Sequence, residues 1–214
     1  AATLFPNALG DNELPLGWEM GALGDIASQR KETVKPSEVD AGAPYIGLEH
    51  MPQRSTVLSS WGSARKVGSN KFAMRCHDFL FGKLRPYFHK VGIGPIDGIC
   101  STDIVVVVPK AEAWSQMVLN IISSDEFVDT VNAAASGTRM PRTSWSDMSK
   151  YRIAVPPESL ANEFERFGRP WRELIVANVH QNRALAELRD CLLPKLMSGE
   201  IRAREATERI EEVA

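Results

Sequence analysis

At 214 residues, with 25 Lys and Arg against 27 Asp and Glu, the chain carries a formal charge of −2 on an ordinary globular composition. That length supports one or two domains with real cores and excludes disordered and collagen-like classes. No apolar run approaches the roughly 18 to 20 residues that cross a bilayer, and the first residues lack the basic and apolar regions of a secretory signal. The first residue is Ala rather than Met, which points to a processed chain or a chosen boundary. Cys76, Cys100 and Cys191 are far apart and never form a CxxC pair. A zinc knuckle or disulfide framework is therefore not expected, and a reducing cytoplasm is.

In chain order, residues 1 to 17 read as an arm rich in Pro, Gly and Asn. Trp18 to Ala27 predicts a strand entering a short helix, and Pro44 to Leu48 a short apolar strand. Asp78 to Arg85 and Ile104 to Val108 are stronger strands, bounded by Gly and Pro turn signals. Ala113 to Ser123 places Trp114, Val118, Ile121 and Ile122 at helical spacing, and Asp125 is the expected N-cap of a second helix through Ala135. Ser136-Gly137-Thr138 ends that helix, Met140-Pro141 stays extended, and Tyr151 to Val155 is the last strand. At Val155-Pro156-Pro157-Glu158 the character changes from strand-rich to helical. The expectation is an α+β chain: a mixed, strand-rich domain over 1–157 and a helical region over 158–214.

Within that helical region Gly168 and Pro170 predict a break or kink, since Pro cannot donate within a helix. Phe164, Trp171, Asn178, Leu185 and Leu192 recur every seven residues. Leu160, Phe167, Leu174, Gln181 and Leu188 fill the complementary core positions. This is a heptad seam with one polar layer, Asn178 and Gln181, flanked by charges such as Arg172, Glu173, Arg183 and Glu187. A narrow seam with a polar layer favours pairing with a specified partner helix over packing on the chain's own domain.

Charge is unevenly spread. Residues 50–90 hold Arg54, Arg65, Lys66, Lys71, Arg75, Lys83, Arg85 and Lys90 against one acid, Asp78. A second group, Arg139, Arg142, Lys150 and Arg152, faces only Asp147. Either this is a phosphate-facing footprint or it is a solvated face. Catalytic machinery is missing from the pattern. Gly82-Lys83 lacks the rest of a phosphate-binding loop, and Gly92-Ile93-Gly94-Pro95 is too short for a dinucleotide fingerprint. Val155-Pro156-Pro157-Glu158 lacks the polar and aromatic residues of an amino-methyltransferase motif. Asp97 and Asp103 lack the following acid-x-Lys of a nuclease, and the four histidines have no adjacent nucleophile. No metal or catalytic residues are expected, and binding is the better reading.

Pro15-Leu16-Gly17-Trp18-Glu19-Met20, Asp78 to Tyr87, Ser136 to Arg142, Val155-Pro156-Pro157 and Leu188 to Ile201 together resemble, in order, the specificity subunits of type I restriction–modification enzymes. The resemblance spans residues 3 to 202. It implies a non-catalytic, cytoplasmic DNA reader with one target-recognition domain and one conserved helical region. It further implies antiparallel helix pairing with a second recognition domain, methyltransferase subunits that carry S-adenosylmethionine, and restriction subunits. The chain needs no cofactor of its own in that reading. It is either half of a longer subunit or a half-subunit that dimerises, and Leu4-Phe5-Pro6-Asn7 suggests a C-terminal half. The rival class is a coiled-coil interaction module whose head binds a protein or glycan.

On the DNA-reader expectation, Arg65, Lys66, Lys71, Arg75, Lys83 and Lys90 are phosphate contacts. Glu49, His50, Gln53, Arg54, Arg139 and Arg142 are candidates to read base edges. Arg85 either meets phosphate or braces its loop. Ser136, Gly137 and Thr138 either present backbone N–H groups to phosphate or form an ordinary helix end. Trp171, Leu174, Asn178, Gln181, Leu185, Leu188 and Leu192 are the pairing residues of the helix.

Overall fold

The computed structural model describes residues 9–10, 13–135 and 140–201. The elements are β1 (Glu19–Ala22), α1 (Leu23–Ile26), β2 (Ala27–Arg30), β3 (Thr33–Val34), β4 (Pro44–Ile46), β5 (Gly62–Ser63), β6 (Lys71–Met74), β7 (Phe79–Gly82), β8 (Val91–Ile93), β9 (Gly98–Cys100) and β10 (Ile104–Pro109). There follow α2 (Ser115–Ile122), α3 (Asp125–Ala133), α4 (Trp145–Met148), β11 (Arg152–Val155) and α5 (Glu158–Met197). The α+β expectation holds, with a strand-rich head followed by one long helix.

β7 and β10 are the centre of the head. They pair antiparallel in a sheet of order β2-β10-β7-β8, and both faces of that sheet are covered. Alternation divides their side chains. Phe79, Phe81, Val105 and Val107 point into a core shared with α1 to α4, β11 and Val176 of α5. Leu80, Ile104 and Val106 point the other way, against Ile46, Phe72, Met74 and Cys100 of a second sheet ordered β3-β6-β9-β4-β5. A strand buried on both faces reads as a continuous apolar run, which is why Phe79-Leu80-Phe81 and the four valines of β10 stood out. β1 pairs with β11, closing the start of the head onto its end.

Two expectations are corrected. The N-cap of α3 is Ser124, whose hydroxyl accepts from the Phe127 N–H, and Asp125 is the first helical residue. More consequentially, α5 is one 40-residue helix that runs through both Pro170 and Pro194. Gly168 is not a breaker. It is buried where the side chain of Gln116 from α2 lies against the helix, and a Cβ there would collide with that side chain. Propensity loses to packing at this point. The expected turn at Ser136–Thr138, Arg139 and the Leu4–Asn7 entry lie outside the described residues.

α5 presents two faces. Ala161, Glu165, Gly168, Arg172, Val176 and Val179 are buried on the head. The heptad seam lies on another face and is open, with Phe167 69 % and Trp171 59 % exposed beside Phe164, Leu174 and Leu185. Asn178 and Gln181 are exposed, Leu188 is half-buried and Leu192 is buried with Ile201. Packing on the chain's own head and a free pairing seam are thus not alternatives; different faces provide them.

Candidate nucleic-acid interface

Strand direction sorts the basic residues into two groups. β7 ends at Gly82 opposite the start of β10 at Ile104, and β8 begins beside them at Val91. The C-terminal ends of β4 and β9 lie at this same end of the head, since Ser101 N–H donates to the Ile46 carbonyl and Ile104 N–H to that of Ser101. We call it the loop end. It gathers Glu49, His50, Gln53, Arg54, Lys83, Arg85, Lys90, Asp103 and Arg142. β10 runs away from it for six residues, about 20 Å, to the helix end, where α5 is attached.

The loops at the loop end are tied down by their backbones. Lys83 N–H donates to Asp103, Arg85 N–H to Pro141, and Thr143 N–H to Lys83, so the segments after β7 and before α4 are stitched together. Arg85 and His89 bracket the turn Pro86–Phe88, and both hold left-handed backbones, φ 51 and 49. Non-glycine residues rarely adopt that conformation, and it persists where surrounding contacts determine it. Here Arg54 N–H donates to the His89 carbonyl, and His89 Nε2 donates to the Ser123 carbonyl at 2.9 Å. Its Nδ1 faces Asp125 at 3.1 Å without an aligned hydrogen bond. Tyr87 is carried outward on this turn, half exposed.

The candidate side chains are in different states of readiness. Lys83 and the exposed Gln53 have no side-chain partner among the described residues. Arg142 rests on Asp103 at 3.4 Å and Arg54 on Asp125 at 2.7 Å, both in water, where such pairs are weak and exchangeable. Arg85 is half-buried with its Nε unpartnered, which suits a loop brace whose outer nitrogens remain available. Lys90 Nζ is taken up by the Leu48 carbonyl at 2.6 Å, and His50 Nδ1 accepts the Gly47 N–H, so these two shape the loop carrying the exposed Glu49. Burial, then the charge of Glu49, raises the phenol pKa of neighbouring Tyr45.

Four nominated phosphate contacts do not join this group. Lys71 is only 9 % exposed, and its ammonium is bonded to the Ser69 carbonyl and hydroxyl. Arg75 is exposed at the helix end, where its N–H donates to Asp78. Arg65 and Lys66 are exposed in the turn after β5, whose Ala64 N–H donates to Ala43, on the far side of β4 from Gly47. Sequence reasoning also missed the partners. Asp78, the one acid of the basic segment, is buried and gripped by both Nε and Nη2 of Arg30. That bond raises the pKa of Arg30. The acids facing Arg54 and Arg142 come from distant elements, and no local spacing signals them. No group of His, Cys, Asp and Glu that could hold a metal occurs among the described residues.

A basic loop end, a two-sheet head and a long helix with an open seam set the terms for comparison with known proteins. No family model matches the chain. It is 24 % identical over 211 residues to the type I restriction enzyme MjaIX specificity subunit of Methanocaldococcus jannaschii, covering 91 % of this chain and 47 % of that protein. It is 28 % identical over 203 residues to the EcoDI specificity subunit of Escherichia coli, covering 89 % and 44 %. The HsdS subunit from Thermoanaerobacter tengcongensis superposes with a TM-score of 0.58 at 21 % identity, over 88 % of this chain and 50 % of that one. The S subunit from M. genitalium gives 0.55 at 13 %. The likeness is to half of a type I specificity subunit. The chain spans about half the length of the relatives it matches, and the specificity-subunit fold accounts for both its head and its long helix.

Proposed function

We propose that this chain is a non-catalytic DNA-reading unit of a type I restriction–modification enzyme, recognising one half of a split target. The observation that carries the reading is the convergence of Lys83, Arg85, Arg142, Arg54 and Gln53 on the loop end of the head, at the opposite end of β10 from the start of α2 where Glu165 and Arg172 of α5 attach. Lys83 and Arg85 supply salt-dependent phosphate affinity, and Arg142, Arg54 and Gln53 reach for base edges. The open seam of α5 takes a second recognition unit, from another copy or a longer chain, through an antiparallel helix. Residues 171–197 span about 40 Å, close to the roughly 34 to 36 Å of one duplex turn. Methyltransferase subunits bring S-adenosylmethionine and dock on this assembly, and restriction subunits join through it. Support comes from likeness along nine-tenths of the chain to specificity subunits, and from a similar chain (TM-score 0.58, 22 % identity) belonging to a type I R–M system studied for its complex assembly. Among the described residues no helix is long and apolar enough to cross a membrane.

Co-expression with methyltransferase subunits, followed by mapping of methylated adenines, tests the reading. One half-target should emerge, and the chain alone with S-adenosylmethionine should methylate nothing. Arg142→Ala should change preference among sequences by about 1 to 3 kcal/mol if the residue reads a base. A uniform loss across sequences demotes it to a phosphate contact. Duplex binding without salt dependence, or none, points instead to an interaction module.

A further inference from the structure

The attachment of α5 to the head is built around a polar knot. Glu165 and Arg172 lie seven residues apart on α5, both are buried, and they pair through Arg172 Nη2. The second carboxylate oxygen of Glu165 accepts the backbone N–H of Gln116 at 3.0 Å. Gln116 is in the first turn of α2, whose N-cap residue Trp114 offers no side-chain cap. Glu165 therefore caps α2 from another helix, placing an anion on the positive end of its dipole. Arg172 Nη1 closes the loop by donating to Gln116 Oε1, and Gly168 leaves the notch that this side chain occupies. A second anchor lies further along, where His180 Nε2 donates to the Pro95 carbonyl at 2.7 Å and Arg183 stacks on Trp61, 4.3 Å from the ring centroid.

Apolar contact alone lets a helix slide or roll. A buried, hydrogen-bonded ion pair adds little net stability but tolerates few geometries. Two anchors about 27 Å apart on one helix, from Glu165 to Arg183, fix its direction as well as its place. We infer that the Gln116–Gly168 notch, locked by Glu165 and Arg172, sets the angle between head and helix and thereby selects the spacing between the two half-targets. This rests on the function proposed above. The arm is long enough to matter: a tilt of about five degrees at the knot moves the loop end by roughly 2 Å over the length of β10. These four are positioning residues, remote from the DNA-facing end.

Gly168→Ala pushes Gln116 out of the notch, and Gln116→Ala removes the obstacle again. Spin labels on the exposed Cys191 and on Lys31→Cys, in a Cys76→Ser background, report the head–helix distance. It should change by roughly 2 Å or more in Gly168→Ala and return toward the parental value in the double variant. In the complex with methyltransferase subunits, methylation at the parental spacing should fall about ten- to a hundredfold, the scale of a small misplacement. A target one base pair longer or shorter should gain relative to it. An unmoved distance in folded Gly168→Ala overturns the inference, as does a moved distance with unchanged spacing preference. If the parent methylates no target at any spacing, the proposed function fails, and the label distances still report on the knot. Should Gly168→Ala not fold, Glu165→Gln keeps the shape while weakening the lock and carries the same measurements with the same outcomes.

Discussion

Arg54 and Asp125, separated by 71 residues in sequence, meet at 2.7 Å at the loop end of the head. Both side chains are about two-thirds exposed, so the pair contributes little stability and competes with any phosphate for the guanidinium. Asp125→Asn should leave the melting temperature nearly unchanged and release Arg54. Duplex affinity should rise at low salt, and the salt slope should steepen by about one unit. An unaltered slope would place Arg54 away from the duplex.

Lys83 and Arg75 separate the two ends of the head. Lys83→Ala should weaken binding to every duplex and flatten the salt slope by about one unit, whereas Arg75→Ala should leave the slope as it is. Titrations at several salt concentrations decide it, and an effect of Arg75 as large as that of Lys83 moves the footprint to the helix end.

The open seam predicts assembly. Leu185→Asp with Leu188→Asp puts two carboxylates into the proposed helix pair and should abolish it while the head stays folded. Light scattering reads the mass, and circular dichroism reads the fold. Unchanged mass and unchanged methyltransferase binding would leave α5 as a strut on its own head.

Burial, with the charge of Asp78 adding to it, pushes the Cys100 thiol up to about 12. An unfolded thiol ionises near about 8.5. A pKa raised in the folded state gives stability that is full below the unfolded value and is lost as pH rises toward the folded one. Denaturant titrations should thus show stability falling between about pH 8.5 and 12, with a smaller fall in Cys100→Ala. At pH 8 a thiol reagent should modify the exposed Cys191 in the native protein and Cys100 only on unfolding.

Much of the architecture was legible because its signals are local. Phe79-Leu80-Phe81 and Val105 to Val108 announce strands buried on both faces, and Pro156-Pro157 announces the start of α5. Short strands such as β3, β5 and β6 escaped, since two to four residues carry little periodicity and their pairing is set by partners far away. The basic segment was visible, but not its division between two ends, which depends on strand direction. Lys71 and Asp78 look solvent-facing in sequence and are buried by contacts from Ser69 and Arg30. Gly168 misled most directly: a missing side chain reads as helix weakness until Gln116 is seen to occupy the space.

Gly168 and Pro170 still weaken α5 intrinsically, by about 1 and 3 kcal/mol against alanine, and Pro170 leaves the Arg166 carbonyl without its helical donor. Glu165 sits before this stretch and Arg172 after it, and both are fastened to the same residue of α2. The head therefore acts as a splint across the first of the two prolines at which the helix would bend. The usual picture of a rod carrying a cargo is reversed over these eight residues: here the cargo stiffens the rod, and α5 owes its straight passage through Pro170 to the domain it carries.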